Sequence, residues 1–175
     1  MNAADEPAFP FVRSASISEL LALYGATLDE LRERKIVRSA NGPGGDYAEL
    51  LYVQAFGWER KPNSSTGYDA VDGKNLRYQV KSRRIVGPKT SRQLSALRKL
   101  SEVSFDFLAG VLFNKDYTVM KAAIVPYTVV KDRATFSAHT NSYIFYLDDS
   151  IWTLPGVQNV TSELRNAADE LNVKI

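Results

Sequence analysis

Residues 67–84 read GYDAVDGKNLRYQVKSRR, and this stretch decides the fold that the sequence predicts. Its segments 68–72 and 76–83 carry aromatic and aliphatic side chains in a pattern typical of strands. The residues between them, Asp72-Gly-Lys-Asn75, contain the Asp-Gly pair typical of a tight hairpin turn. The stretch therefore predicts two antiparallel strands, and Asp72 is expected to serve the turn.

Polar side chains converge on one face of this predicted hairpin. Because successive side chains alternate between the two faces of a strand, Gln79 and Lys81 are expected on the same side. The turn brings Asp69, on the neighbouring strand, level with Gln79. A carboxylate, an amide oxygen and a backbone carbonyl are hard ligands that suit Mg²⁺. A nearby lysine can orient an attacking water or neutralise charge on a phosphate. Gln79 can equally be read as a polar residue of an edge strand.

Helices are predicted before the hairpin. Ser16-Ile-Ser-Glu19 has the spacing of a capping box and begins a helix that Gly25 is expected to interrupt. A second capping box at Thr27 follows, so this region is either two short helices or one bent helix. Asp46 is expected to cap a helix that runs to Phe56 and stops at Gly57.

The elements after the hairpin alternate in type. Thr90-Ser-Arg-Gln93 is a third capping box, and the leucines that follow it at helical spacing predict a helix. The remaining predicted elements are strands at 58–61, 105–113, 118–125 and 143–147, and a helix at 161–171. The order of helices and strands predicts an α/β domain around a mixed sheet. The loop 41–45 separates an N-terminal arm and helical extension, residues 1–45, from the main domain, residues 46–175.

Composition excludes several kinds of site. The 175 residues include no cysteine, so disulfides and thiolate metal sites are excluded. His139 is the only histidine, which excludes a zinc site built from histidines. The apolar run at 107–113 is far too short to span a bilayer, and the N-terminus lacks the basic segment of a signal peptide. The sequence therefore predicts a cytoplasmic protein that does not bind membranes.

The charge is unevenly distributed. Residues 73–100 contain no Asp or Glu. Nine basic residues fall in this stretch: Lys74, Arg77, Lys81, Arg83, Arg84, Lys89, Arg92, Arg98 and Lys99. A one-sided basic segment of this kind attracts polyanions.

The hairpin with its preceding helix resembles the PD-(D/E)XK nuclease superfamily, which includes many restriction enzymes. The resemblance depends on Asp69, on Gln79-Val80-Lys81 and on Glu49 in the helix before them. The predicted elements also follow the superfamily's core order of helix, strand, strand, helix, strand. The departure is Gln79, because Asp or Glu is usual at that position.

The resemblance implies a role for each of these residues. Asp69, Gln79 and the Val80 carbonyl would hold Mg²⁺, for which Mn²⁺ is expected to substitute, and Lys81 would assist the nucleophile. Glu49 would add a contact to the metal. Its spacing from Asp46 is also that of a capping box, so a purely structural role for Glu49 stays open.

The fold implied by the resemblance is restriction-endonuclease-like, a mixed β-sheet flanked by helices with a helical N-terminal extension. The implied function is Mg²⁺-dependent endonucleolytic cleavage of DNA, in restriction or defence, by a possible homodimer. Arg83, Arg84, Lys89 and Arg92 are expected to contact DNA, helped by a helix N-terminus at Thr90. Two alternatives remain: a DNA-binding module with a decayed nuclease site, and a structural subunit of a restriction or defence complex.

Overall fold

The computed structural model describes residues 9–62 and 67–173, which form an α/β protein with a mixed six-stranded sheet. The chain divides into two compact units, Met1–Pro43 and Gly44–Ile175. The α-helices in the described part are α1 (Ile17–Glu33), α2 (Gly44–Phe56), α3 (Tyr127–Arg133) and α4 (Thr161–Val173). The strands there are β1 (Glu59–Arg60), β2 (Ala70–Val71), β3 (Arg77–Arg84), β4 (Phe107–Phe113), β5 (Val119–Pro126), β6 (Thr135–Ser137), β7 (Ser142–Ile144) and β8 (Gln158–Asn159). No helix within these described ranges is long and apolar enough to cross a membrane.

The first unit contains α1, which begins as the sequence predicts. Ser16 is its N-cap, and both hydrogen bonds of a capping box are present. The sequence predicts either two short helices or one bent helix around Gly25, and the structure shows one helix of 17 residues that Gly25 does not interrupt. A glycine in a helix interior costs about 1 kcal/mol, which a helix of this length tolerates. Thr27 does not cap a second helix; its hydroxyl donates to the Leu23 carbonyl at 2.8 Å.

The second unit begins with α2, whose end is confirmed and whose start differs from the prediction. Gly57 ends the helix in the left-handed conformation, with φ of 65°, and its N–H donates to the Val53 carbonyl at 2.9 Å. The helix starts at Gly44, so Asp46 lies in its first turn and is not its N-cap.

The six-stranded sheet has the order β1-β2-β3-β4-β5-β8. Strands β3 and β4 are parallel, and the other neighbours are antiparallel. Strands β1, β2 and β3 thus form a meander, after which the chain crosses over to β4. Strands β6 and β7 form a separate antiparallel pair.

The predicted hairpin turn is confirmed. The N–H of Asn75 donates to the Asp72 carbonyl at 3.0 Å, and Asn75 adopts a left-handed φ of 63°. The Asp72 carboxylate accepts hydrogen bonds from the N–H groups of Lys74 and Leu76, at 2.8 and 2.9 Å. Asp72 therefore serves the turn, as expected of an Asp before Gly.

The crossover between β3 and β4 does not contain the predicted helix. Among residues 85–106 the regular element is one 3₁₀ turn, Leu100–Glu102. Residues 90–99 run in irregular and extended form, and Leu97 exchanges backbone hydrogen bonds with Tyr143 at 2.7 and 3.1 Å. This pairing with a distant segment outweighs the local helical signal at Thr90.

The two faces of the sheet carry separate cores. Tyr78 and Val80 of β3 pack with α2 and α4 on the first face. The second face is buried under the crossover leucines Leu94, Leu97 and Leu100. Since side chains alternate along β3, Gln79 and Lys81 project toward this second face.

Candidate functional site

Asp69 lies immediately before β2 and is anchored to β3 by two hydrogen bonds. Its N–H donates to the Tyr78 carbonyl at 2.8 Å, and its carboxylate Oδ2 accepts from the Val80 N–H at 2.6 Å. Strand β2 pairs with β3 only at Arg77 and Tyr78, so the ladder does not reach Val80. The carboxylate of Asp69 thus takes the place of a strand partner and is held against β3.

The Val80 carbonyl points toward the same edge of β3 as Asp69. In a strand, the N–H and C=O of one residue point to the same side, and the Val80 N–H is bonded to Asp69. Alternate residues of β3 point to β4 instead, as the bond from the Asp106 N–H to the Arg77 carbonyl at 2.9 Å shows. The Val80 oxygen therefore lies on the same edge of β3 as the carboxylate of Asp69.

Gln79 and Lys81 line the same pocket, which has a volume of about 510 Å³. The register of β2 with β3 pairs Ala70 with Tyr78, which places Asp69 opposite Gln79. Gln79 is only 9% exposed, and its Oε1 is buried without a hydrogen-bond partner. Lys81 is half-buried. The structure thus places Asp69 beside Gln79 and Val80 at the edge of β3, and of these residues and Lys81 it is Gln79 and Lys81 that line the pocket.

The crossover supplies the other wall of this pocket, which the sequence interpretation missed. Polar and charged residues of 95–104 line it: Ser95, Arg98, Lys99, Glu102 and Ser104. Arg98 and Lys99 belong to the stretch without acidic residues, which was the available signal. Because the segment was predicted as a helix, its side chains could not be placed opposite Gln79.

Glu49 is placed away from these residues. Its carboxylate accepts a hydrogen bond from Arg60 Nε at 2.9 Å, and Arg60 also donates to the Asp46 carbonyl at 3.0 Å. Arg60 pairs with Ala70 in the sheet and so shares the first face, opposite to that of Gln79. The structure therefore does not bring Glu49 to Asp69, Gln79 and Lys81, and it shows Glu49 in an ion pair within a mostly buried cluster.

The oxygen atoms at the site fit a hard divalent ion held partly by water. Asp69 offers a carboxylate, Val80 a carbonyl and Gln79 an amide oxygen that lacks a partner. A half-turn about the last torsion of Gln79 exchanges its oxygen and nitrogen, so either end of the amide can face the pocket. Mg²⁺ commonly binds through one or two carboxylates and keeps several waters. No cluster of three or more His, Cys, Asp or Glu side chains suited to a metal occurs in the described ranges.

The basic residues predicted to contact DNA fall into two groups. Arg83 and Lys89 are exposed. Arg84 donates to the Lys115 carbonyl at 2.7 Å and stacks over the Tyr117 ring at 4.8 Å. Arg92 is paired with Asp149 at 3.0 Å. The predicted helix N-terminus at Thr90 is absent, so it provides no dipole for phosphate.

Asp149 is held by two cations. Lys121 lies 2.5 Å from Asp149 Oδ1, and Arg92 lies 3.0 Å from Oδ2. Hydrogen bonds from Lys121 and Arg92 lower the pKa of Asp149 to about 2. The positive charge of Arg92 is therefore partly neutralised by Asp149 when no polyanion is bound.

An ion pair between Arg77 and Asp106 joins the parallel strands β3 and β4 where they begin. The Asp106 carboxylate accepts from the Arg77 guanidinium at 3.0 Å through both oxygens and from the Arg77 N–H at 2.8 Å. These bonds from Arg77 lower the pKa of Asp106. The pair joins β3 to β4 two residues before Gln79. It therefore stabilises the β3–β4 register in which Gln79 faces the pocket.

No protein-family model matches the chain, and no curated protein matches its sequence.

Proposed function

We propose that the chain is a metal-dependent endonuclease of the PD-(D/E)XK type that hydrolyses phosphodiester bonds of DNA. The observation that carries this proposal is the buried Oε1 of Gln79, which lacks a hydrogen-bond partner beside Asp69 and Lys81. A buried polar atom left unsatisfied costs about 1–3 kcal/mol. Such atoms call for a specific explanation, and an ion bound at the site supplies one.

The order of elements supports a restriction-endonuclease-like fold. Helix α2 is followed by the meander of β1, β2 and β3, and then by a crossover to the parallel strand β4. This order contains the helix, the two strands β2 and β3 and the final strand of the superfamily core. It departs from that core in the additional strand β1 and in the described crossover, which contains a 3₁₀ turn and no α-helix.

Each residue of the site has a definite task in this proposal. Asp69, the Val80 carbonyl and the Gln79 amide would hold Mg²⁺ or Mn²⁺. When bound, the ion supplies Lewis-acid polarisation of the phosphate and lowers the pKa of a coordinated water. Lys81 orients the attacking water by hydrogen bonding and offsets negative charge that develops on the phosphate oxygens. Its position two residues after Gln79 directs it into the same pocket.

The basic residues support binding to the DNA backbone. Arg83 is exposed at the end of β3, two residues beyond Lys81, and Lys89 is exposed in the crossover. Arg98 and Lys99 line the pocket itself. Phosphate contacts of this kind position a duplex without reading its sequence.

The test is cleavage of supercoiled plasmid by the purified chain with Mg²⁺, with Mn²⁺ and with EDTA. Cleavage is expected only with a divalent ion, and Asp69→Asn and Lys81→Ala are each expected to abolish it. Asp132→Asn and Lys131→Ala change exposed residues of α3 in the same chemical way and serve as matched controls. Metal-independent cutting, or full activity of Asp69→Asn, contradicts the proposal.

A second candidate function is DNA binding without cleavage. The observation that favours it is that Glu49, the other expected carboxylate ligand, is paired with Arg60, so the structure does not place it beside Asp69 and Gln79. A gel shift in Ca²⁺ separates the two functions. Retained DNA binding with no cleavage in Mg²⁺ or Mn²⁺ would identify the non-catalytic module.

A further inference from the structure

The pocket beside Gln79 has the size of a ligand site. Its volume of about 510 Å³ lies within the range of roughly 300–1,000 Å³ that is usual for small-molecule sites. One wall is formed by Gln79 and Lys81 of β3, and the other by residues of 95–104. Asp69 and Val80 are not among its lining residues, so a metal ion held by them does not account for the pocket.

The chemistry of the lining suits phosphate. Three cations reach it, Lys81, Arg98 and Lys99, against one acid, Glu102. Lys99 and Glu102 approach each other at 3.4 Å, and both are exposed, so the pair is easily reorganised. The hydroxyls of two serines, Ser95 and Ser104, add neutral donors.

Recognition of a base is not what this lining favours. None of the described lining residues is aromatic, whereas sites that bind bases usually stack them on aromatic rings. Cations and hydroxyls are the groups that contact the phosphate and sugar of nucleic acids. The pocket is therefore suited to bind the phosphate and sugar groups of a nucleic-acid strand and not to recognise its bases.

One side of the pocket is closed. The Ser104 hydroxyl donates to the Gly67 carbonyl at 3.2 Å. A Cβ added to Gly67 would lie 2.4 Å from the Cβ of Ser104, so the two walls are in direct contact there. A nucleic-acid strand in the pocket therefore cannot leave it between Gly67 and Ser104.

The cationic wall is held by a buried anchor. Lys99 adopts a left-handed φ of 55° and leads into the 3₁₀ turn Leu100–Glu102. Leu100 is 2% exposed, and its carbonyl accepts a hydrogen bond from the Tyr127 hydroxyl at 2.8 Å. Arg98 and Lys99 are thus carried on a segment that the core fixes in place.

We propose that this pocket binds the terminal phosphomonoester of a nucleic-acid strand, an inference that rests on the proposed function and adds a contact for strand ends beside the endonuclease site. A phosphomonoester carries a charge of about −1.5 to −2 at pH 7, whereas each internal phosphodiester carries one negative charge. The excess of cations at Lys81, Arg98 and Lys99 matches the more highly charged group. Charge-assisted hydrogen bonds from Arg and Lys to phosphate are also stronger than neutral ones.

The test is a binding titration in EDTA, so that cleavage plays no part. Three internally labelled single-stranded DNA oligonucleotides of identical sequence are compared: one with a 5′-phosphate, one with a 3′-phosphate and one with hydroxyl ends. One of the phosphorylated ends is expected to bind about tenfold more tightly than the hydroxyl-ended oligonucleotide. The double variant Arg98→Ala, Lys99→Asn is expected to remove that preference, whereas the matched control Lys131→Ala retains it. Asn is chosen at position 99 because it tolerates the left-handed backbone.

Competition distinguishes the possible sources of the phosphate. A dinucleotide that carries its phosphate at the preferred end is expected to displace the labelled strand at lower concentration than inorganic phosphate does. Equal competition by inorganic phosphate would assign the pocket to a free anion and overturn the proposal, as would equal affinity for all three oligonucleotides. Because these measurements use EDTA, an end preference without plasmid cleavage would contradict only the nuclease, and cleavage without an end preference would contradict only this inference.

Discussion

The carboxylate of Asp69 lies 2.6 Å from the amide nitrogen of Val80, so the candidate metal ligand also supports the backbone of β3. Val80 is 6% exposed, and removal of its acceptor would leave a buried N–H unsatisfied. Asp69→Ala is therefore expected to lower the free energy of unfolding by about 1–3 kcal/mol. Asp69→Asn keeps an acceptor oxygen and is expected to lose much less. Urea denaturation of both variants measures the difference.

The same pair of variants separates structure from catalysis at Asp69. Both are expected to lose cleavage, because neither retains the negative charge that binds the ion. Asp132→Asn, on the exposed surface of α3, is the control for both measurements. If Asp69→Ala is as stable as the wild type, the hydrogen bond to Val80 contributes nothing to the fold.

The amide of Gln79 is expected to limit metal affinity. Gln79→Glu introduces the acidic residue that is usual at this position in PD-(D/E)XK enzymes. It places a second carboxylate opposite Asp69. Without divalent ions, the two negative charges repel and the variant is expected to be less stable than the wild type. With Mg²⁺ its melting temperature is expected to rise further than that of the wild type, because an ion at 100 times its Kd stabilises by about 2.7 kcal/mol. Thermal melts with and without Mg²⁺ measure both effects, and equal Mg²⁺ shifts in the two proteins would show that Gln79 does not contact the ion.

Glu49 is expected to matter for stability and not for cleavage. Its side chain is 17% exposed and that of Arg60 is 14% exposed, so the pair is well shielded from water. Glu49→Gln removes the charge that faces Arg60 and is expected to lower the free energy of unfolding by about 1–3 kcal/mol. Cleavage per folded molecule is expected to stay at the wild-type level. A variant that is fully stable but inactive would show that Glu49 acts at the metal site.

Local signals predicted the parts of the fold that local interactions determine. The capping box at Ser16, the stop at Gly57 and the turn at Asp72 each depend on residues within four positions of one another, and each is confirmed. The crossover is different, because Leu94 and Leu97 are buried whether the chain is helical or extended. Their backbone conformation is decided by pairing with residues some 50 positions away, such as Tyr143, which no local pattern contains.

Local signals also predicted one part of the candidate site and missed another. Strand alternation alone places Gln79 and Lys81 on one face, and both line the pocket. The position of Glu49 depends on how α2 lies against the sheet, and the partner that decides it is Arg60. Arg98 and Lys99 line the pocket because the crossover is extended, and the helix that the sequence predicts there does not place them opposite Gln79.

Acid is expected to weaken the connection between β3 and β4 through Asp106. Hydrogen bonds from Arg77 lower the pKa of Asp106 below the value of about 3.9 that an Asp has in an unfolded chain. A carboxyl group with a lowered pKa in the folded state stabilises the fold above pH 3.9, and this contribution is lost as the pH falls through the folded-state pKa. Asp106→Asn lacks it, so the stability difference between wild type and variant is expected to be largest at neutral pH and to shrink below pH 3.9. Urea denaturation between pH 7 and pH 2.5 measures this, and a difference that stays constant with pH would rule out the ion pair as its cause.

The contact of the chain with DNA phosphates is expected to depend on Arg83 more than on Arg92. Binding that neutralises phosphates releases counterions, so log affinity falls with log salt by about 0.9 per phosphate contacted on duplex DNA. Arg83 is exposed at the end of β3, whereas Arg92 already faces Asp149 at 3.0 Å. Arg83→Ala is therefore expected to weaken binding to all sequences alike and to make the salt slope shallower by about one unit. Arg92→Ala is expected to change the slope by much less, because Arg92 must leave Asp149 to reach a phosphate. The measurement is a salt titration of duplex affinity in Ca²⁺, with Lys131→Ala as the control. An unchanged affinity and slope for Arg83→Ala would show that the DNA path does not follow the end of β3.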